Sequence, residues 1–296
     1  MAEQSFVFRV TAGAQAFILK EVGTINPHGN VPRKLAADLA AWQFLHSEGI
    51  PVALPISTDN DQTYIHSEGH YYCLFPELPS NPDPAAPLEQ VQVHIGAAIA
   101  RLHRALAAYT GKIYSWTMDL PPRILEEAVP VILRHLEPDE RVRLETVLAK
   151  VSEPLRRALV ELPAQYLHGD CHAGNILLVG DQVSGFIDMD HMPFGPRLYD
   201  LCYHASGKAL YLDAYNHPEK DTLFFEQILP ALFHGYENVS PLTAAEKDAA
   251  PYMMIGIELI MAGWMFEPAN NPEWARNSLA LLYWLHENTP RIRAKI

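Results

Sequence analysis

A chain of 296 residues with 49% hydrophobic content is long enough for one two-lobed domain or two domains and for a large core. Its formal charge of −13, from 35 acidic and 22 basic residues, argues against a general attraction to nucleic acid or to an anionic membrane and suits a cationic or neutral small-molecule partner better. Cys73, Cys171 and Cys202 form no C-x-x-C pair, the opening MAEQSFVF has no basic-then-apolar leader, and the longest apolar stretch, Tyr252 to Phe266, is interrupted by Glu258. A reduced, cytoplasmic protein without a transmembrane helix is expected.

The chain begins with two apolar runs, SFVFRV and AQAFILKEV, joined at Thr11-Ala12-Gly13-Ala14, which predict a hairpin. Pro32 to Ser47 places Leu35, Leu39, Trp42 and Leu45 on one helical face, with Gly49 just beyond. Short strands follow, turning at Thr58 to Asp61 and at Glu68-Gly69, and the run Tyr71 to Phe75 leads into a proline cluster ending at Pro84. That cluster divides the chain into residues 1–77, a linker at 78–86 and residues 87–296. Beyond it, Leu88, Val91, Ile95, Ile99, Leu102 and Leu106 predict a helix, as do the stretches 123–135 and 139–162. After residue 197 the pattern is helical throughout, over 197–205, 223–236, 242–266 and 274–287.

Chemistry concentrates between Tyr166 and Tyr203. Asp170 and Asn175 precede the apolar run Ile176 to Val179, which turns through Gly180-Asp181-Gln182 into a second run ending at Asp188, a strand, turn and strand. Such a hairpin brings two carboxylates and an amide oxygen to one edge. Phosphoryl transfer calls for a carboxylate beside the acceptor hydroxyl and hard oxygen ligands that hold Mg2+ against the nucleotide phosphates.

The motif His168-Gly169-Asp170-Cys171-His172-Ala173-Gly174-Asn175, then Ile187-Asp188-Met189-Asp190, then Gly195 and Asp200-Leu201, resembles the aminoglycoside phosphotransferase and choline kinase superfamily. The HGDCHAGNIL wording also resembles bacterial stress-response Ser/Thr kinases, and FIDMDH with GPRLYDL resembles homoserine-kinase-like and spore-coat-kinase-like members. The resemblance implies an α+β, two-lobed, protein-kinase-like fold, with a small N-terminal antiparallel sheet plus helix and a larger, mainly helical C-terminal lobe. It also implies ATP and Mg2+ as cofactors and a small-molecule hydroxyl acceptor.

Roles follow by resemblance. Asp170 would orient the acceptor hydroxyl and take its proton, while Asn175 and Asp188 would hold Mg2+. Lys20, at the end of F-I-L-K, would pair with the non-transferred phosphates, and Asp38 stands where the family's helix offers Glu to that lysine. Backbone groups around Leu74, Phe75 and Glu77 would meet the adenine edge. The usual glycine-rich flap has little chain to occupy, either being reduced to the residues around Gln4 and Ser5 or missing from the start. His168, His172 and Asp200 take structural tasks, Asp200 as an anchor for the catalytic-loop backbone. His103 is read as a core histidine bonded to backbone. Asp190 is a candidate for a second metal or the acceptor. Glu258 and Trp264 are acceptor-pocket candidates, with a partly exposed glutamate the plainer reading of Glu258.

Three readings compete. A metal-dependent hydrolase could draw on His168, Asp170, His172, Asp188, Asp190 and His191, but leaves Asn175 and Lys20 without a task. A nucleotide-binding protein without catalysis would fit the short flap and Asp38 in place of Glu. A protein Ser/Thr kinase of the stress-response type differs from the small-molecule kinase only in its acceptor.

Overall fold

A computed structural model describes residues 6–22, 31–268 and 270–296. Strand β1 (Val7–Ala12) pairs antiparallel with β2 (Gln15–Val22), Val7 opposite Lys20 and Ala12 opposite Gln15, and Gly13 turns the chain at a φ of +63°. Helix α1 (Val31–Ser47) buries Leu35, Leu39, Trp42 and Leu45, the face expected from their spacing. Strands β3 (Ile65–Ser67) and β4 (His70–Pro76) complete a sheet ordered β1-β2-β4-β3.

The expected linker contributes to a second sheet. Its strand β5 (Asn81–Pro82) pairs parallel with β7 (Ile176–Gly180), Asn81 opposite Val179. Helices then begin the larger body: the long, amphipathic α2 (Leu88–Ala108) and α5 (Pro138–Val160), with the short α3 (Leu120–Pro122) and α4 (Val129–His135) between them. The helix expected over 123–135 is π-helical from Arg123 to Ala128 before continuing as α4. The same feature recurs at Phe224–Ile228, and both stretches lie just before a proline, Pro130 and Pro230. A proline ring displaces the carbonyl one turn back and offers no N–H, so the preceding turn widens.

Strand β6 (Ala164–Tyr166) pairs with β9 (Phe194–Pro196), and β7 forms the expected hairpin with β8 (Gln182–Phe186), Ile176 opposite Phe186, with a bulge between Leu177 and Leu178. The C-terminal part is helical: α6 (Leu198–Leu212), α7 (Pro218–Leu223), α8 (Leu229–Glu237), α9 (Ala244–Met265), α10 (Pro272–Glu287) and α11 (Thr289–Lys295). Helices α2 and α8 cross closely because glycines meet backbone there: a Cβ on Gly235 would lie 2.0 Å from the Val93 carbonyl oxygen, and one on Gly96 2.0 Å from that of Leu232. Among the described residues no helix is long and apolar enough to cross a membrane. The α+β architecture, with a small N-terminal antiparallel sheet and a mainly helical remainder, is the one expected.

Candidate active site

The loop between β6 and β7 is organised from beneath by Asp200, in the first turn of α6. Its buried carboxylate accepts the His168 N–H at 2.8 Å and the Gly169 N–H at 2.9 Å, and lies 2.9 Å from His103 Nε2. Burial pushes the Asp200 carboxyl up, but His103 and these amides outweigh it and hold the pKa below the ordinary value. His103 is a core residue, yet its ring nitrogens face Asp200 and the Tyr236 hydroxyl, 2.8 Å from Nδ1, and the expected backbone partner is replaced by these side chains. Gly169 has a φ of +83°, and a Cβ there would lie 2.4 Å from Pro193 Cδ. A larger side chain has no room at this position unless Pro193 shifts.

His168 is fully buried. Its Nδ1 accepts the Asp170 N–H at 3.3 Å, which makes Nε2 the donor to the Ile187 carbonyl at 3.0 Å, so a single neutral tautomer satisfies both contacts. Burial lowers its pKa, in keeping with the neutral form. With both nitrogens committed, His168 cannot ligate a metal, and the hydrolase reading loses its first ligand. His172 is half-buried; its Nδ1 accepts the Gly174 N–H at 2.9 Å, and its Nε2 lies 3.6 Å from Asp170 Oδ2.

Asn175 donates from Nδ2 to both the carbonyl and Oδ2 of Asp170, each at 2.9 Å. The amide therefore orients the carboxylate and keeps its own Oδ1 as an acceptor. Across the hairpin, the Ile187 N–H donates to the Asn175 carbonyl at 3.1 Å, so Asp188 follows at the adjoining edge.

Asp188 has a φ of +62°. The chain is left-handed there and leaves the strand, and Asp190, which as an i, i+2 neighbour would share a face with Asp188 even on a continuing strand, meets the same cation. Lys20 Nζ lies 2.5 Å from Asp188 Oδ1 and 2.6 Å from Asp190 Oδ2. Burial works to lower the Lys20 pKa, but Asp190 and Asp188 outweigh it and raise it; burial likewise pushes Asp188 up, and Lys20 brings it below the ordinary value. Lys20, Asp188, Asp190 and Asn175 line a cavity of about 350 Å³ whose apolar walls include Ile18 and Phe186.

Several expected site residues lie elsewhere. Asp38 does not reach Lys20: its Oδ2 is 2.5 Å from Lys34 Nζ, one turn back on α1, while the ammonium of Lys20 is taken by the two aspartates beyond β8. Burial pushes Asp38 up to about 6, opposed by Lys34. Phe75 and Glu77 line the cavity, whereas Leu74 alternates to the other face and its carbonyl accepts the Ile56 N–H at 2.7 Å. Glu77 also ties the rim to β1, its carboxylate accepting from Arg9 Nε at 2.7 Å and Nη2 at 2.9 Å. Ser5 lies outside the described residues.

Glu258 is not partly exposed but 2% exposed, facing Ser206 and Ser278 from within α9. Its burial follows from a helix that is apolar on nearly every face, so sequence periodicity could not point to the side that meets water. Trp264, on the same helix, is 48% exposed. Two residues near the site were missed. Lys34 carried only an i, i+4 spacing to Asp38, and Tyr203, which stacks on Tyr199 at 5.6 Å and stands 6.5 Å from the His172 ring, carried an i, i+4 aromatic spacing.

Comparison with known proteins matches residues 2–242 to the phosphotransferase enzyme family. A homoserine kinase of Neisseria meningitidis serogroup B is 29% identical over 213 residues, 70% of this chain and 63% of the relative's own length. A stress response kinase A of Salmonella paratyphi A is 26% identical over 257 residues, 83% of this chain and 71% of that protein. Among solved structures, an amicoumacin kinase in complex with AMP-PNP and Ca2+ has a TM-score of 0.69 at 17% identity, covering 99% of this chain and 86% of its own, which establishes a shared fold. With about four-fifths of the sequence inside the family match and the loop and hairpin described above within it, the chain belongs to the phosphotransferase enzyme family.

Proposed function

We propose that the protein is an ATP-dependent kinase that transfers the γ-phosphoryl group to a hydroxyl of a small molecule, such as an amino alcohol, a homoserine-like compound, a sugar or an aminoglycoside-like compound. The observation that carries this reading is that Asn175, Asp188 and Lys20 line one cavity between the N-terminal sheet and the β7–β8 hairpin, with Asp170 held beside it by the Asn175 amide. The amicoumacin kinase complex supports ATP as the donor, and the kinase names of the relatives support an alcohol acceptor.

In this reading the adenine lies among the apolar cavity walls, and 78–86 is the hinge between residues 1–77 and 87–296. Lys20, whose neighbours keep it cationic, holds the non-transferred phosphates. The donor set fits a hard divalent cation: Asp188 offers a carboxylate, Asn175 a free amide oxygen, and the Lys20 ammonium already shows that a cation is accepted between Asp188 and Asp190. Mg2+ held there would neutralise charge on the β- and γ-phosphates. Asp170 accepts the acceptor's proton at Oδ1 or Oδ2, and Asn175 fixes the carboxylate's orientation. Because phosphoryl transfer passes through a loose transition state, holding the hydroxyl in line matters more than strong basicity.

A protein acceptor is the second reading, favoured by the likeness to stress response kinase A. One experiment addresses both. ADP release is followed with amino alcohols, homoserine, sugars, aminoglycosides and a bulk protein substrate, for the wild type and for Asp170→Asn. The expected result is turnover that depends on a small hydroxyl compound and drops about 10²–10⁴-fold in the variant, with nucleotide binding retained. Wild-type turnover by Asp170→Asn would remove the proposed mechanism, and phosphate found only on protein would transfer the reading to the second acceptor class.

A further inference from the structure

The segment carrying Asp188 and Asp190 cannot support its own shape. Residues 187–193 form neither helix nor strand, and Asp188 and Met192 both have positive φ, +62° and +32°. Such backbone persists when outside contacts over-determine it. Three side chains from other elements supply them. His168 Nε2 donates to the Ile187 carbonyl at 3.0 Å, the Ser115 hydroxyl donates to the His191 carbonyl, and Lys34 Nζ donates to the Asp190 carbonyl at 2.8 Å.

Lys34 differs from the other two in carrying a charge. It is 7% exposed in the first turn of α1, and its ammonium lies between Asp38 Oδ2 at 2.5 Å and the Asp190 carbonyl. Asp190 is thus held at both ends, its carbonyl by Lys34 from α1 and its carboxylate by Lys20 from β2. The three carboxylates of Asp38, Asp188 and Asp190 face two ammonium groups, so the cluster keeps a deficit of positive charge suited to an added cation.

We propose that Lys34, braced by Asp38, is a positioning residue for this site, holding the Asp190 carbonyl so that the Asp188 and Asp190 carboxylates face the cavity in the arrangement a metal-bound nucleotide requires. The idea rests on the phosphotransferase reading for its purpose, though not for its geometry. It also accounts for Asp38, which the family pattern would assign to the strand lysine. Here the α1 carboxylate acts on the site through a lysine of its own helix. Groups that orient metal ligands from behind commonly change metal affinity by about 10–100-fold when removed.

The test uses the full chain with Lys34→Met, Lys34→Arg and the double variant Lys34→Met with Asp38→Leu. The double variant removes both buried charges together, which avoids stranding a lone carboxylate and preserves folding. Amide hydrogen exchange is measured on nucleotide-free protein, and binding of AMP-PNP is titrated against Mg2+. In Lys34→Met and in the double variant, exchange over 187–194 should accelerate about tenfold while α5 and α9 keep wild-type protection. The half-saturating Mg2+ concentration should rise about tenfold, and kcat should fall more than the KM for the acceptor changes. Lys34→Arg, which retains the cation, should recover most of the loss.

Wild-type exchange over 187–194 with an unchanged Mg2+ requirement overturns the proposal, as does faster exchange confined to α1, which would make Lys34 a support for its own helix alone. The exchange measurement needs no turnover. Accelerated exchange in a protein that transfers phosphate to no acceptor would therefore reject the kinase reading while supporting the Lys34 anchor.

Discussion

Asp200 shows how one side chain can set a loop several residues long. Its two oxygens take two consecutive backbone N–H groups and face a histidine, with Asp200, His168 and His103 all buried. Each of these donors would be costly to leave unpaired. In Asp200→Asn the replacement oxygen can accept, but its NH2 group faces donors; a loss of about 3 kcal/mol at neutral pH is expected from urea denaturation. The sign of the pH dependence follows from the depressed pKa. The folded state binds the Asp200 proton less tightly than the unfolded chain, so the carboxylate contributes stability above its ordinary value of 3.8, and the contribution is lost as pH falls through the lower folded value. The gap between wild type and Asp200→Asn should therefore narrow in acid; a gap that stays constant down to pH 3 would show that the charge is irrelevant.

At the scale of elements, helices α6, α9 and α10 meet around a buried acid rather than around aliphatic side chains alone. Glu258 has Ser206 and Ser278 as polar neighbours, and its Oε2 has no hydrogen-bond partner among the described residues. Burial pushes the carboxyl up to about 7, with the serines acting in the opposite direction. The folded state here binds the proton more tightly than the unfolded chain. The contribution of this group is thus greatest in acid and declines as pH rises from 4.5 through about 7, by about 3 kcal/mol in all. Glu258→Gln keeps the shape without the ionisation. It should unfold at higher urea than wild type at pH 8 and match it near pH 4, and equal midpoints at both pH values would argue that Glu258 is solvated. The pairing of α2 with α8 obeys a simpler rule, since Gly96 and Gly235 let backbone meet backbone where any Cβ would collide.

For the molecule as a whole, the cavity lies between two parts of the chain, with Ile18, Lys20 and Phe75 on one side and Asn175, Leu177 and Asp188 on the other. A ligand bridging both sides favours the folded state by mass action, by about 2.7 kcal/mol at 100 times its Kd. AMP-PNP with Mg2+ should accordingly raise the Tm by several degrees. Asp188→Asn, which tolerates the left-handed backbone but lacks the charge, should have a lower ligand-free Tm because Lys20 loses one of its two carboxylates, and should lose most of the ligand-induced rise measured from that value. A rise undiminished in the variant would place the nucleotide's metal elsewhere.

The local order of this chain was readable from the residues themselves. Apolar spacing identified α1, α2 and the β7–β8 hairpin, and the motif from His168 to Asp200 brought together the residues that surround the loop, because each of these features depends on neighbours a few positions apart. What remained hidden depended on partners distant in sequence. The pairing of Asp38 with Lys34 rather than Lys20 was decided by Asp188 and Asp190 occupying the Lys20 ammonium from 168 and 170 residues away. The positive φ of Asp188 is likewise announced by no composition, because left-handed backbone at a non-glycine residue is held by contacts from elsewhere in the fold. The burial of Glu258 was decided by which of several apolar faces of α9 met α6 and α10. Sequence alone determined which elements form and which side chains are candidates for the chemistry, since helix, strand and turn preferences are local. Tertiary structure decided which charges neutralise one another, since electrostatic pairing depends on distance in space and on the loss of water around each group.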